Sequence, residues 1–209
     1  FKDVSFSYDK KIDVLKNINF EVKQGETVGI LGPTGSGKST LVHLLTHLFT
    51  PTSGKIYIDN MDMELIDKKW LRQNIGLILQ EPFLYTKTIK ENIGIVGDYN
   101  NDERIFEAAS IANIHKGITE FKEGYNTLVG EKGLSLSGGQ KQRIAIVRAL
   151  CMNPEIILFD EVRMVLRVML AGFGDIVAEV FHQFKAHRIL MRIGDFRSQS
   201  SDFRIEIFS

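Results

Sequence analysis

The chain has 209 residues, of which 44% are apolar and 25% charged, a composition that excludes a disordered or fibrous protein and suits one globular domain or two small subdomains. Lysine plus arginine and aspartate plus glutamate number 26 each, so no global basic field exists to hold a nucleic acid backbone, and no nucleic acid partner is expected. Cys151 is the single cysteine, which removes a disulfide framework or multi-cysteine zinc site and points to a reducing compartment.

Phe1-Lys2-Asp3 is no signal peptide, no apolar run reaches the length of a membrane span, and a start without Met inside a strand-like pattern reads as a fragment of a longer polypeptide. Val4-Ser5-Phe6-Ser7-Tyr8 and Ile18-Asn19-Phe20-Glu21-Val22 alternate as strands, Gln24-Gly25-Glu26 turns, and Thr27-Val28-Gly29-Ile30-Leu31 is a β-branched apolar run. The period then changes. Leu41, Leu44, Leu45 and Leu48 predict an amphipathic helix from Ser39 to Phe49, ended by Pro51-Thr52-Ser53-Gly54 before a strand from Lys55 to Asp59. Trp70, after Asp67-Lys68-Lys69, reads as a surface aromatic near a helix start, and Ile75 to Leu79 as another strand. Ile105, Ala108, Ala109 and Ala112 share one face of a helix predicted over 101–118 with Asn101 or Asp102 as N-cap. A helix from Gln140 to Met152 stops before Pro154, and the apolar strand Ile156-Ile157-Leu158-Phe159 runs into Asp160-Glu161. Strands alternating with helices imply an α/β domain with a mixed, partly parallel sheet.

Gly32-Pro33-Thr34-Gly35-Ser36-Gly37-Lys38-Ser39 fits G-x-x-x-x-G-K-[ST] between a predicted strand and a predicted helix. Its glycines let backbone N–H groups wrap a phosphate chain at the positive end of the helix that also carries Thr40. Lys38 would add a charge at the β- and γ-phosphates, and the Ser39 hydroxyl would hold Mg²⁺. The loop alone indicates a nucleoside triphosphate and leaves GTPase, kinase and ATPase open. Asp160 and Glu161 arrive at the carboxyl end of a sheet strand, where ligands sit; Asp160 would orient the Mg²⁺ shell and Glu161 would polarise the attacking water. His43 and His47 lie four residues apart without a third ligand, so they read as polar helix positions rather than a metal pair.

Leu136-Ser137-Gly138-Gly139-Gln140, followed by Lys141-Gln142-Arg143, opens a helix with small residues and offers a second anion-binding tip. This string resembles the signature of the ATP-binding cassette, or ABC, ATPases, and the resemblance runs from Phe1 to Glu161. It implies a P-loop NTPase core, an antiparallel β subdomain and a helical subdomain over about 81–150. It also implies that two cassettes, identical or different, pack head to tail, the signature of one covering ATP on the phosphate loop of the other. Tyr8 resembles the aromatic that stacks on adenine, and Gln80 the glutamine that reaches Mg²⁺ and the attacking water. Gln80-Glu81-Pro82-Phe83-Leu84-Tyr85, Thr88-Ile89-Lys90-Glu91-Asn92-Ile93 and the stretch from Gly124 to Glu131 resemble the exporter branch. That branch implies a transmembrane partner domain and a place at the cytoplasmic face of a membrane.

Beyond Glu161 the resemblance fails. Val162-Arg163-Met164-Val165-Leu166-Arg167 stands where the family has a Ser-Ala-Leu-Asp-like segment. Ala186-His187-Arg188 provides the triplet of the histidine that contacts the γ-phosphate, but early and without an apolar strand ahead of it. Phe203, Ile205 and Ile207 alternate as one strand. Residues 1–161 hold 15 Lys and 4 Arg, whereas 162–209 hold 1 Lys and 6 Arg, a switch no fold requirement explains. The tail therefore reads as frameshifted or fused, which leaves a catalytically impaired nucleotide-binding module, or a soluble ABC ATPase, as alternative readings.

Overall fold

The computed structural model describes residues 1–79, 81–96, 101–130, 135–160, 189–195 and 204–208. β1 (Lys2–Phe6) pairs antiparallel with β2 (Leu15–Ile18) and with β4 (Ser53–Lys55) in a three-stranded sheet. Val4 and Phe6 enter the core two residues apart, and Ser5 between them is buried too, its Oγ accepting from the Asn17 amide at 3.0 Å. The second strand lies earlier than the alternation at 18–22 suggests: its register runs Val4↔Ile18 and Phe6↔Leu15, and beyond it Phe20 stacks on Phe1 with ring centroids 4.3 Å apart.

β3 (Thr27–Gly32) leads through the glycine-rich loop into α1 (Lys38–Leu45). This helix stops short of Phe49. Thr46 Oγ1 donates back to the Val42 carbonyl at 2.9 Å, and His47 follows at φ 53, a local bond that competes with helix continuation. Leu48 thereby leaves the buried stripe and is 59% exposed. The strand expected over 55–59 is divided between β4 and a hairpin of β5 (Tyr57–Ile58) and β6 (Met61–Asp62), turned by Asp59 and Asn60 at φ 48 and 65, the paired positive values of a two-residue turn.

Asp67 caps α2 (Lys68–Asn74) by accepting from the Trp70 amide at 2.9 Å, and the Trp70 side chain is exposed. β7 (Ile75–Ile78) precedes α3 (Ile89–Ile93). The helix expected over 101–118 is two, α4 (Asp102–Ile111) and α5 (His115–Thr119), because Asn113 turns left-handed at φ 49. Asn101 is the N-cap of α4, accepting from the Arg104 amide at 3.1 Å. α6 (Gly138–Cys151) and β8 (Ile156–Phe159) follow as expected, and β10 (Arg204–Phe208) is the alternating strand of the tail.

β9 (Ile189–Asp195) has no counterpart among the expected strands. The five-stranded sheet has the order β10-β3-β9-β8-β7, parallel throughout except for β10 at its edge. Alternation along β8 serves two cores. Leu158 belongs to one with Ile30, Leu41, Leu44 and Leu71, whereas Ile157 and Phe159 belong to another with Ile89, Ile105 and Ile144. The first surrounds the phosphate-loop helix, and the second is the interior of the helical part.

Asn92 anchors the loop entering α3 and is fully buried. Its Oδ1 accepts from the Tyr85 amide at 2.8 Å, while Nδ2 donates to the carbonyls of Tyr85 at 2.9 Å and Thr88 at 3.0 Å. Asn92→Ala leaves those backbone groups unmatched, so a loss of about 3 kcal/mol is expected. Urea unfolding with an unchanged slope measures it, and a loss under about 1 kcal/mol contradicts the anchoring role.

Candidate functional site

Gly32 ends β3 and Gly37 sits at the N-cap of α1 with φ 94. A Cβ there would stand 2.8 Å from Leu15 Cδ2 and 3.1 Å from the Val14 carbonyl, so conformation and space both demand glycine. Lys38 is 4% exposed and its Nζ donates to the carbonyls of Gly32 at 2.9 Å and Pro33 at 2.8 Å. The ammonium is thereby held inside the curl of residues 32–38. Ser36 donates its amide to Pro33, and its buried Oγ lacks a partner. Thr34 and Gly35 are exposed at the mouth, Gly35 at φ 85 with open space around it. No side chain caps α1 and no acidic residue lies in its first turn, so its positive end is open to an anion.

Asp160 leaves β8 beside this helix, its amide donating to the Ile78 carbonyl at 2.9 Å. Burial pushes its carboxyl above the ordinary aspartate range, while His43, a hydrogen bond from Ser39 and the Lys38 charge pull the other way. Asp160 Oδ1 is buried and lacks a hydrogen-bond partner. Ser39 and Asp160 thus bring together an exposed hydroxyl and an orphaned carboxylate oxygen, the hard donors that suit Mg²⁺ held by few protein oxygens and substrate phosphates. His43 and His47 each have a buried Nδ1 without a hydrogen-bond partner, and no group of three His, Cys, Asp or Glu that could hold a metal ion occurs among the described residues.

The second anion tip is built separately. Ser137 is the N-cap of α6; its Oγ accepts from the Gln140 amide at 3.2 Å, and Gln140 Oε1 accepts from the Ser137 amide at 2.9 Å. This reciprocal pair is a capping box. It gives Gln140 a structural task that the spacing S-x-x-Q carried in the sequence without being read. Ser137 and Gly138 are exposed, and a Cβ on Gly138 would meet nothing within 4 Å. Gly139 is half-buried. The tip belongs to the helical core, not to the core beneath the phosphate loop.

Tyr8 lies just past β1, 55% exposed, with its hydroxyl 3.1 Å from Thr40 Oγ1 on α1. Sequence reasoning did not anticipate this link, nor the ring of Phe49 set against Tyr8 at 5.4 Å; the early end of α1 is what turns Phe49 that way. Gln80, Glu131, Glu161 and His187 lie outside the described residues. β9 begins two residues after His187; Leu190 pairs with Thr27 and Asp195 with Gly32, so the end of β9 level with the phosphate loop carries Gly194 and Asp195.

The sequence model described as ABC transporter matches residues 15–163. Leukotoxin translocation ATP-binding protein LktB of Mannheimia glucosida is 48% identical over 162 residues, 77% of this chain and 23% of that protein. LktB of Bibersteinia trehalosi has the same identity and coverage. The chain thus spans about a quarter of the length of these relatives. A solved structure of a bacterial Atm1-family ABC exporter with ATP bound superposes with a TM-score of 0.82 and 37% identity, over 93% of this chain and 34% of that one. A P-loop core, an exposed capped signature tip and this degree of likeness lead to one conclusion: the chain belongs to the ABC transporter family, of which it carries the ATP-binding part.

Proposed function

We propose that the chain is the ATP-hydrolysing cassette of a membrane exporter, working at the cytoplasmic face beside a transmembrane partner domain and pairing head to tail with a second cassette. The observation that carries this reading is the division of anion-binding features between two cores. The phosphate loop with Lys38, Ser39 and Asp160 sits on one, and the open Ser137–Gly138 tip on the other. Each is half of an enclosure, and two copies in opposite orientation complete both.

In the closed pair, backbone amides of residues 32–39 and the Lys38 ammonium would hold the β- and γ-phosphates, and the partner's signature tip would cover the γ-phosphate. Mg²⁺, held by Ser39, Asp160 and Gln80, would supply charge neutralisation between the phosphates. Glu161 would take a proton from water as the water oxygen bonds to γ-phosphorus and the bond to the β–γ bridging oxygen breaks, releasing ADP and phosphate. Tighter binding of ATP than ADP by the closed pair would drive the cycle.

Exposed Leu79, Phe83, Tyr85 and Leu128 form the face offered to the transmembrane partner, Phe83 being 67% exposed. Arg148 of α6 braces it, donating to the Asn92 carbonyl at 2.8 Å and the Phe83 carbonyl at 3.3 Å. Glu131 would extend this face. The cassette sequence is proposed to end at Glu161, with 162–209 a tail of separate sequence origin; the impaired-module reading rests on that tail.

The test is Lys38→Ala. Loss of charge-assisted bonds to two phosphates should weaken MgATP binding about 100-fold and reduce phosphate release to background. Affinity within threefold of the unaltered chain overturns the proposal.

A further inference from the structure

The Tyr8 ring is more than half exposed yet held on three sides. Its hydroxyl meets Thr40 Oγ1 at 3.1 Å, the Phe6 ring stands at 87° to it with centroids 4.9 Å apart, and the Phe49 ring stands at 90° and 5.4 Å. Phe6 and Phe49 also touch each other at 5.5 Å, and His43 packs edgewise behind Phe49 at 5.8 Å. An aromatic at the end of a strand ordinarily samples several rotamers. Here a hydroxyl contact with the phosphate-loop helix and two perpendicular rings restrain it.

Phe6 is 5% exposed and packs in the core, so its position follows from folding alone; Phe49 is 40% exposed and beyond the end of α1. What brings Phe49 to Tyr8 is the left-handed His47, which redirects the chain after Thr46. An exposed aromatic placed by a turn, with its ring against the one side chain poised to stack on a base, serves that side chain more than it serves the core. Fixing a platform before the ligand arrives removes an ordering cost from binding.

We propose that Phe49 is a positioning residue for base recognition: together with Thr40 it holds Tyr8 in the orientation that stacks on the nucleotide base. The inference rests on the reading of Tyr8 as the base platform. It concerns the base alone, because the triphosphate is gripped by residues 32–39, whereas the Phe49 ring packs against Phe6, Tyr8 and His43.

Calorimetric titration of the 209-residue chain with MgATP and with magnesium tripolyphosphate, which has the phosphates and no base, separates the possibilities. Tyr8→Ala is expected to weaken ATP about tenfold, as lost base stacking does. Phe49→Ala is expected to weaken ATP about fivefold, the scale of an aromatic pair, with tripolyphosphate affinity unchanged within about twofold. Phe49→Tyr restores ATP affinity, and Tyr8→Ala/Phe49→Ala binds no worse than Tyr8→Ala alone. Equal weakening of both ligands by Phe49→Ala overturns the proposal in favour of a structural role beneath the phosphate loop. An unchanged ATP affinity in Phe49→Ala, with Tyr8→Ala impaired, overturns it while sparing the platform reading. Unchanged affinity in Tyr8→Ala overturns both.

Discussion

Ending the chain after Glu161 is expected to abolish cooperative unfolding and MgATP binding together. β3, which delivers the phosphate loop, is hydrogen-bonded to β10 on one side and β9 on the other, and both strands lie beyond Glu161. Without them β3 has no strand neighbour. β8, which delivers Asp160, would stand about 10 Å away across the empty place of β9, two strand spacings and too far for any direct bond. Each buried backbone group left unmatched costs about 1–3 kcal/mol, and β3 alone pairs along six residues with β9. That total exceeds the roughly 5–15 kcal/mol by which a domain is stable. Thermal or urea unfolding of the shortened chain, followed by circular dichroism, reads the result; a cooperative transition with retained MgATP affinity would contradict the sheet order. The tail is unlike the family in sequence, but it supplies the centre of the sheet.

The outcome shows what was legible in the residues. The phosphate loop, the strand ahead of Asp160 and the signature helix each combine a periodic apolar pattern with a motif, so pattern and chemistry agree, and the structure has them within two residues of where they are expected. β9 was not legible. Ile189, Leu190, Met191 and Ile193 are apolar, but Arg192 interrupts the run and the expected histidine triplet draws attention to the residues ahead of it. Pairing with β3 and β8, not local pattern, makes that stretch a strand. The ends of α1 and α4 were missed for a different reason. His47 and Asn113 adopt positive φ, which apolar periodicity cannot reveal because Leu48 and Ile118 keep helical spacing past the break.

Glu161→Gln should separate binding from chemistry. The amide keeps the size of the carboxylate but cannot take a proton from water, so phosphate release is expected to fall about 10²–10⁴-fold. MgATP affinity should stay within a few-fold, since the phosphate grip lies in Lys38 and the amides of residues 32–39. Single-turnover phosphate release beside equilibrium titration measures both. If the unaltered chain already releases no phosphate and the substitution changes nothing, the impaired-module reading replaces the hydrolytic one.

The same variant tests the central claim, that ATP is enclosed between the phosphate loop of one copy and the Ser137 tip of another. Light scattering of Glu161→Gln should give a mass near 23.7 kDa without nucleotide and twice that with MgATP, the doubling being lost when Ser137→Arg places a bulky cation on the tip. A single-chain mass at saturating MgATP, or doubling that survives Ser137→Arg, would contradict it.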